Sequence, residues 1–245
     1  VPLALALSPH LDDAAFSAGG ALARMARAGW SVVVATLFTA SVPNPRGFAL
    51  ACQTDKGLAP EVDYMALRRA EDVAACAVLG AIPRHLPLPE APHRGYDDAA
   101  ALFREPHVAD TIDRKAADAI AALLAELRPG LLLAPQAIGG HVDHVLTVRA
   151  LRRLDPALPI LWWRDFPYSI RTDTPRCPYE AFFAALPELA LPAEEGARHR
   201  ACAAYVTQLS YQFGGTEGLA RAMAAVGRTE RMRAQHRLPP VVHGH

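Results

Sequence analysis

Apolar residues come in short blocks along this chain, separated by polar stretches that carry most of the proline and glycine. Residues 3–7, LALAL, form a continuous apolar run ended by Pro9, the pattern of a buried parallel strand. Residues 14–28 are rich in Ala, Leu and Met and stop at Gly29, which predicts a helix. A β-branched run, SVVVATLF at 31–38, predicts a second buried strand. Residues 40–62 carry Pro, Gly, Asn and Lys without periodicity and read as a long loop. A helix over 64–79 closed by Gly80, a short strand near 85–88 and a Pro/Gly-rich loop through 96 follow. A helix over about 107–127 ends at "RPG", and LLLAP at 131–135 is another apolar run. After it come a helix to about 153, a strand in PILWW at 159–163, a helix near 196–208 and a charged helix at 216–235. Strands alternating with helices predict an α/β domain: a mainly parallel sheet with helices on both sides. One domain over 1–245 accounts for the pattern, with 237–245 as a mobile tail.

Composition narrows the picture without redirecting it. With 51% hydrophobic and 20% charged residues, the 245-residue chain can bury a sizeable core. Lys plus Arg and Asp plus Glu are both 25, so there is no basic field for nucleic acid or for a membrane surface. No apolar run approaches the ~20 residues of a membrane span. The first residues read as a strand rather than a signal-peptide core, because they lack a basic start and run into a polar cluster. Cys52, Cys76, Cys177 and Cys202 are scattered, which fits neither a zinc-thiolate site nor a disulfide frame. Reduced thiols in a cytoplasmic protein are the expectation.

Two polar clusters directly follow apolar runs. His10, Asp12 and Asp13 stand on the turn after the first, where adjacent carboxylates repel unless a positive charge joins them. A divalent cation would resolve that, leaving one Asp free as a base; a helix cap would explain one Asp but not the trio. His141, Asp143 and His144 lie in "GGHVDH" after the fourth predicted strand. There the alternatives are a ligand set on the first helical turn and a solvated helix start with Asp143 at the positive end of the dipole. In open parallel sheets both positions face one crevice at the carboxyl ends of the strands.

"PHLDD" followed by "HVDH" resembles the LmbE-like, or PIG-L, family of metal-dependent de-N-acetylases. "LRRAED" at 67–72 is similar to the family's Arg-x-x-Glu helix, and "ACAAYVTQ" at 201–208 to its late Tyr-x-Ser-Gln helix, with Thr207 in the Ser position. The resemblance implies a Rossmann-like three-layer fold. It implies zinc held by His10, Asp13 and His144, although other divalent transition metals suit the same donors. It makes Asp12 the general base, His141 the residue that stabilises the oxyanion or protonates the amine, and Asp143 the carboxylate that orients His141. Leu11 and Ala14 stand where many relatives carry Pro and Glu, and neither position is a ligand.

The implied reaction is removal of an N-acetyl or other N-acyl group from an amino-sugar conjugate, a small-molecule or glycoconjugate partner, by a chain that is a possible homo-oligomer. One alternative is a metal-dependent hydro-lyase of an unsaturated acid, anchored by Arg46, Arg68 or Arg94. Another is a binding protein without catalysis, against which Asp12 argues, because a purely binding site needs no spare base. Arg68, Arg46 and Tyr168 are the candidate substrate-binding residues, with Asp165 and Phe166 beside Tyr168 as sugar-site lining. Arg68 has an equally plain reading as a salt bridge to Glu71 or Asp72. Trp162 and Trp163 read as core, with one expected to point outwards. His93, His107 and His199 have no ligand spacing.

Overall fold

A computed structural model describes residues 1–172 and 175–239 of the chain. From the N-terminus run β1 (Leu3–Ser8), α1 (Asp13–Arg27), β2 (Ser31–Thr36), α2 (Gly47–Thr54), α3 (Tyr64–Leu79) and β3 (Ile82–His85). The middle holds α4 (Ile112–Leu127), β4 (Leu131–Pro135), α5 (Val142–Leu154), β5 (Ile160–Trp163), α6 (Tyr168–Arg171) and α7 (Glu180–Ala184). The chain continues through β6 (Glu188–Pro192), α8 (Glu195–Ala203), α9 (Val206–Phe213), α10 (Thr216–Val226) and β7 (Thr229–Gln235).

These strands form one seven-stranded sheet in the order β3-β2-β1-β4-β5-β7-β6. The first five are parallel, with Leu3 opposite Ser31 and Ala4 opposite Leu131. β7 runs antiparallel to both its neighbours. The order reverses between β1 and β4, and a parallel sheet opens a crevice at such a switch point.

Alternation along the strands feeds two cores. Ala4, Ala6, Val32, Val34, Leu131, Leu133 and Leu161 face one layer, under α1, α3 and α8. Leu5, Leu7, Val33, Ala35, Leu132 and Ala134 face the other, under α4 and α5. This is the three-layer α/β sandwich the alternation predicts. Trp162 and Trp163 point to opposite faces as the pleat requires, yet both are buried, because helices cover both sides.

Several expectations need correction. The segment 40–62 is not all loop, since α2 forms inside it. β3 lies at Ile82–His85 rather than 85–88, and α4 starts at Ile112 rather than near 107. The helix expected at 196–208 breaks into α8 and α9. The charged helix expected over 216–235 stops at Val226, and Gly227, at a φ of 71°, turns the chain back into β7. Of the expected tail, 240–245 lie outside the described residues, while Leu238 is buried against the core.

Candidate metal centre and catalytic cavity

The first cluster sits on the tight turn between β1 and α1. Ser8 fixes this turn: its hydroxyl donates to the His10 carbonyl at 2.6 Å and accepts from the Ala14 N–H at 3.0 Å. Asp12 occupies the N-cap of α1 but makes no side-chain capping bond. The cap reading therefore fails for Asp12, whose buried carboxylate does not bond to the helix N-terminus. Asp13 Oδ2 accepts from the His10 N–H at 2.8 Å.

The second cluster follows β4 through a turn of unusual backbone. Gly139 has a φ of 95°, and a Cβ there would come within 2.7 Å of the Tyr168 side chain. Only glycine lets Tyr168 lie that close. His141 then caps α5: its Nδ1 accepts from the Asp143 N–H at 3.2 Å.

Partners on the far side of each ring set the tautomers. His10 Nε2 donates to Asp143 Oδ2 at 2.9 Å, leaving a lone pair on Nδ1. That Nδ1 lies 3.2 Å from Asp13 Oδ2. His144 Nδ1 donates to Asp165 Oδ1 at 2.8 Å, leaving the lone pair on Nε2. That Nε2 lies 3.1 Å from the same Asp13 Oδ2, is buried, and has no hydrogen-bond partner. Three acceptor atoms thus converge on one point, an arrangement that repels itself unless a cation occupies the middle. Two imidazole nitrogens and one carboxylate oxygen suit a divalent transition metal. The residues present fit such an ion.

His141 is also near, since ligand atoms of His10, His141 and His144 lie within 4.8 Å of one another. Its Nδ1 lone pair is spent on the Asp143 N–H, so its Nε2 carries a proton. That proton makes His141 Nε2 a hydrogen-bond donor beside the three converging acceptors. Burial holds it well below the usual histidine pKa, so that donor is neutral. Burial and the adjacent Asp13 push the Asp12 carboxyl up to about 6, with the Arg68 guanidinium 3.8 Å away opposing the rise.

Asp143 does not orient His141 as expected. Its carboxylate grips His10 and is itself held by Arg94 at 2.6 Å and by the Ala91 N–H at 3.1 Å. Burial works against the charge of Asp143, but Arg94 and His10 outweigh it and hold the carboxyl far down. The side chain of Asp143 reaches the β1 turn, whereas His141, two residues earlier, lines the floor of the cavity.

The cavity over this floor holds about 260 Å³. Its walls come from α2 (Phe48) and the turn after it (Lys56), the 89–103 loop (Glu90, Phe103), α6 (Tyr168, Arg171) and α9 (Gln208, Tyr211), with Tyr64 and Arg68 of α3. Tyr168 packs edge-on against His144, with ring centroids 5.6 Å apart. Arg68 faces the cavity but pairs with Glu90 and Asp12, not with Glu71 or Asp72. Glu71 instead accepts from the N–H and hydroxyl of Thr207, each at 2.7 Å, and Asp72 accepts from Tyr205 at 2.7 Å. The Arg-x-x-Glu helix and the late Tyr-x-Thr-Gln segment are thereby joined, and Thr207 does with its hydroxyl what serine would.

Other expectations fall away. Arg46 is exposed at the start of α2 and is not among the cavity lining. Asp165 and Phe166 are buried behind the floor and line no sugar site. Arg94 is committed to Asp143 and Asp110, so it cannot anchor an acid substrate. Gln208, Tyr211 and Lys56 also line the cavity; of these Gln208 alone carries a signal in the sequence, as the last residue of the late motif.

The sheet is that of a Rossmann-like α/β domain, and at its switch point stand two imidazoles and a carboxylate that could hold a metal ion. Residues 5–154 match the family described as PIG-L, GlcNAc-PI de-N-acetylase, and the chain belongs to that family. It is 36% identical over 172 residues to the 2'-N-acetylparomamine deacetylase of Streptomyces fradiae, a match covering 69% of this chain and 58% of that protein. The structure of the A40926 pseudoaglycone deacetylase Dbv21 superposes with a TM-score of 0.73 at 30% identity, covering 95% of this chain and 96% of that one. The zinc-inhibited form of teicoplanin deacetylase Orf2 superposes with a TM-score of 0.77 at 26% identity, covering 95% and 97%. No described helix is long and apolar enough to cross a membrane.

Proposed function

We propose that this chain is a single-domain zinc-dependent amidohydrolase that removes an N-acetyl group from an amino-sugar conjugate. The observation that carries the reading is Asp12: a buried, uncapped carboxylate on the same turn as the metal-facing Asp13, opening on the cavity. The family and the deacetylases it resembles support the reaction class. His10, Asp13 and His144 would hold the ion, and their donor set is one that zinc favours. A bound ion there supplies Lewis acidity, acidifying water and polarising the acetyl carbonyl.

The chain's own residues do the rest. Asp12 takes a proton from the attacking water. The His141 Nε2–H donates to the carbonyl oxygen as it gains charge. The proton held on Asp12 passes to the amine nitrogen as the C–N bond breaks, so acetate and a free amine leave. Arg68 and Tyr168 line the space over the acetyl group and are the substrate contacts in this reading. The four cysteines, none in a disulfide, fit a cytoplasmic setting.

The test is free-amine release from a panel of N-acetylated amino sugars and their conjugates, with zinc at one equivalent because the teicoplanin deacetylase has a zinc-inhibited form. Release by the wild type, reduced about 10²–10⁴-fold in Asp12→Ala with zinc still bound, is the expected outcome. Equal release by the variant would remove Asp12 from the chemistry. No release from any member would remove the proposed substrate class.

A further inference from the structure

The two histidines of the metal centre are backed by different carboxylates, and the difference points to a residue beyond both motifs. Behind His10, Asp143 is neutralised by Arg94. Behind His144, Asp165 is 1% exposed and has no Lys or Arg partner among the described residues; its one ion pair is with His144. A carboxylate buried in this way is costly unless positive charge reaches it. From the structure we infer that Asp165 is a positioning residue for the metal ion, fixing His144 with its Nε2 lone pair toward Asp13. This inference rests on the metal-centre part of the reading above.

The geometry gives each carboxylate oxygen a separate task. Oδ1 accepts from His144 Nδ1 at 2.8 Å, so the ring can turn only one nitrogen to the centre. Oδ2 accepts from the Ile138 N–H at 2.9 Å, tying the turn that carries His141 and His144 to the end of β5. The neighbouring strands support this brace: Pro135 pairs with Trp163, and the Gln136 N–H donates to the Trp163 carbonyl at 3.1 Å. The Asp165 carbonyl accepts from the Ser169 N–H at 2.8 Å, at the start of the segment that sets Tyr168 against His144. The charge that balances Asp165 is that of the ion, relayed through the imidazole. A partner carboxylate of this kind raises ligand basicity and restrains the ring.

The test measures zinc affinity rather than turnover, on the full chain, by competition with a chromophoric chelator. Asp165→Asn keeps the volume and one acceptor but removes the charge; Asp165→Ala removes both. We expect zinc binding about 10-fold weaker in the first and up to ~100-fold weaker in the second. The absorption bands of the cobalt(II)-loaded protein should shift, while the far-ultraviolet circular dichroism of the metal-free protein stays that of the wild type. Zinc affinity within about twofold of wild type in folded Asp165→Ala, against the losses typical of such partners, would overturn the inference. Should that variant not fold, unchanged affinity and an unchanged cobalt spectrum in Asp165→Asn overturn it equally. A wild type that binds zinc tightly but releases no amine would sink the proposed reaction and leave this inference standing.

Discussion

His10, Asp12 and Asp13 stand where β1 turns into α1, and His141 and His144 at the start of α5 after β4, whereas Phe48, Lys56, Phe103, Tyr168 and Tyr211 line the cavity above them from short helices and loops. On the floor, every side chain except Asp12 has a partner within about 3.2 Å, and Ser8 locks the backbone of the turn. On the walls the aromatic residues make looser contacts: the Tyr211 ring lies 4.7 Å from the Lys56 ammonium, and the Phe103 and Tyr168 ring centroids are 5.8 Å apart. A floor of this kind holds reacting groups to a fixed geometry, as chemistry requires. Walls of that kind can change shape and sequence without disturbing the reaction, so they are where one substrate is told from another. Substitutions on the floor should therefore lower kcat or metal binding, and those on the walls should move KM.

The largest expected effect lies where a wall is tied to the floor. Arg94, on the 89–103 loop, donates to Asp143 at 2.6 Å and pairs with Asp110 at 3.1 Å. Asp110 in turn accepts from the Tyr96 hydroxyl at 2.9 Å. Arg94→Ala would leave two buried carboxylates without their cation. The expected loss of stability is about 3–5 kcal/mol, read from urea unfolding of the metal-free protein. A loss under ~1 kcal/mol, the range of an exposed ion pair, would mean that this loop is not anchored as its contacts imply.

Next is His141, on the floor but outside the ligand set. His141→Ala removes the neutral Nε2–H donor and should lower kcat by about 10²–10³, with KM and zinc affinity little changed. If zinc affinity falls instead, His141 is a ligand, and the tautomer assigned from its Nδ1 contact is wrong.

The same division marks what could be read without a structure. The β1 turn was legible because an apolar run, a proline and three ligand-type residues come in immediate succession, and a parallel sheet leaves one place for them to go. The partner of Asp143 was not legible: the family resemblance implied His141, two residues away, while the fold brings His10 from 133 positions off. β7 was hidden by one buried charge. Its inward positions are Glu230, Met232 and Ala234, and Glu230 reads as solvent-facing until its oxygens are seen accepting from the Gly20 and Ala21 N–H groups at 2.9 and 2.7 Å. α2 was missed because most of its residues are only half-buried, with cavities beside it, so no apolar stripe forms along it. Asp165 had no signal beyond its place after a strand, because its role depends on which neighbouring strand supplies the turn beside it.

The smallest expected effect tests the walls themselves. Tyr211 on α9 is 65% exposed, lines the cavity and offers its ring to Lys56. No hydrogen bond reaches the floor from it, and the cation–π contact it would forfeit is at the exposed end of the range, about 0.5–1 kcal/mol. Tyr211→Ala should leave zinc affinity and kcat at wild-type values. With a substrate long enough to reach the rim, KM should rise about fivefold, the equivalent of roughly 1 kcal/mol of lost contact. With a bare N-acetylated monosaccharide, too short to reach α9, KM should not move. That pair of substrates separates the walls from the floor within one variant: a fall in kcat with both would show that α9 helps to hold the reacting groups, and the division drawn here would have to be given up.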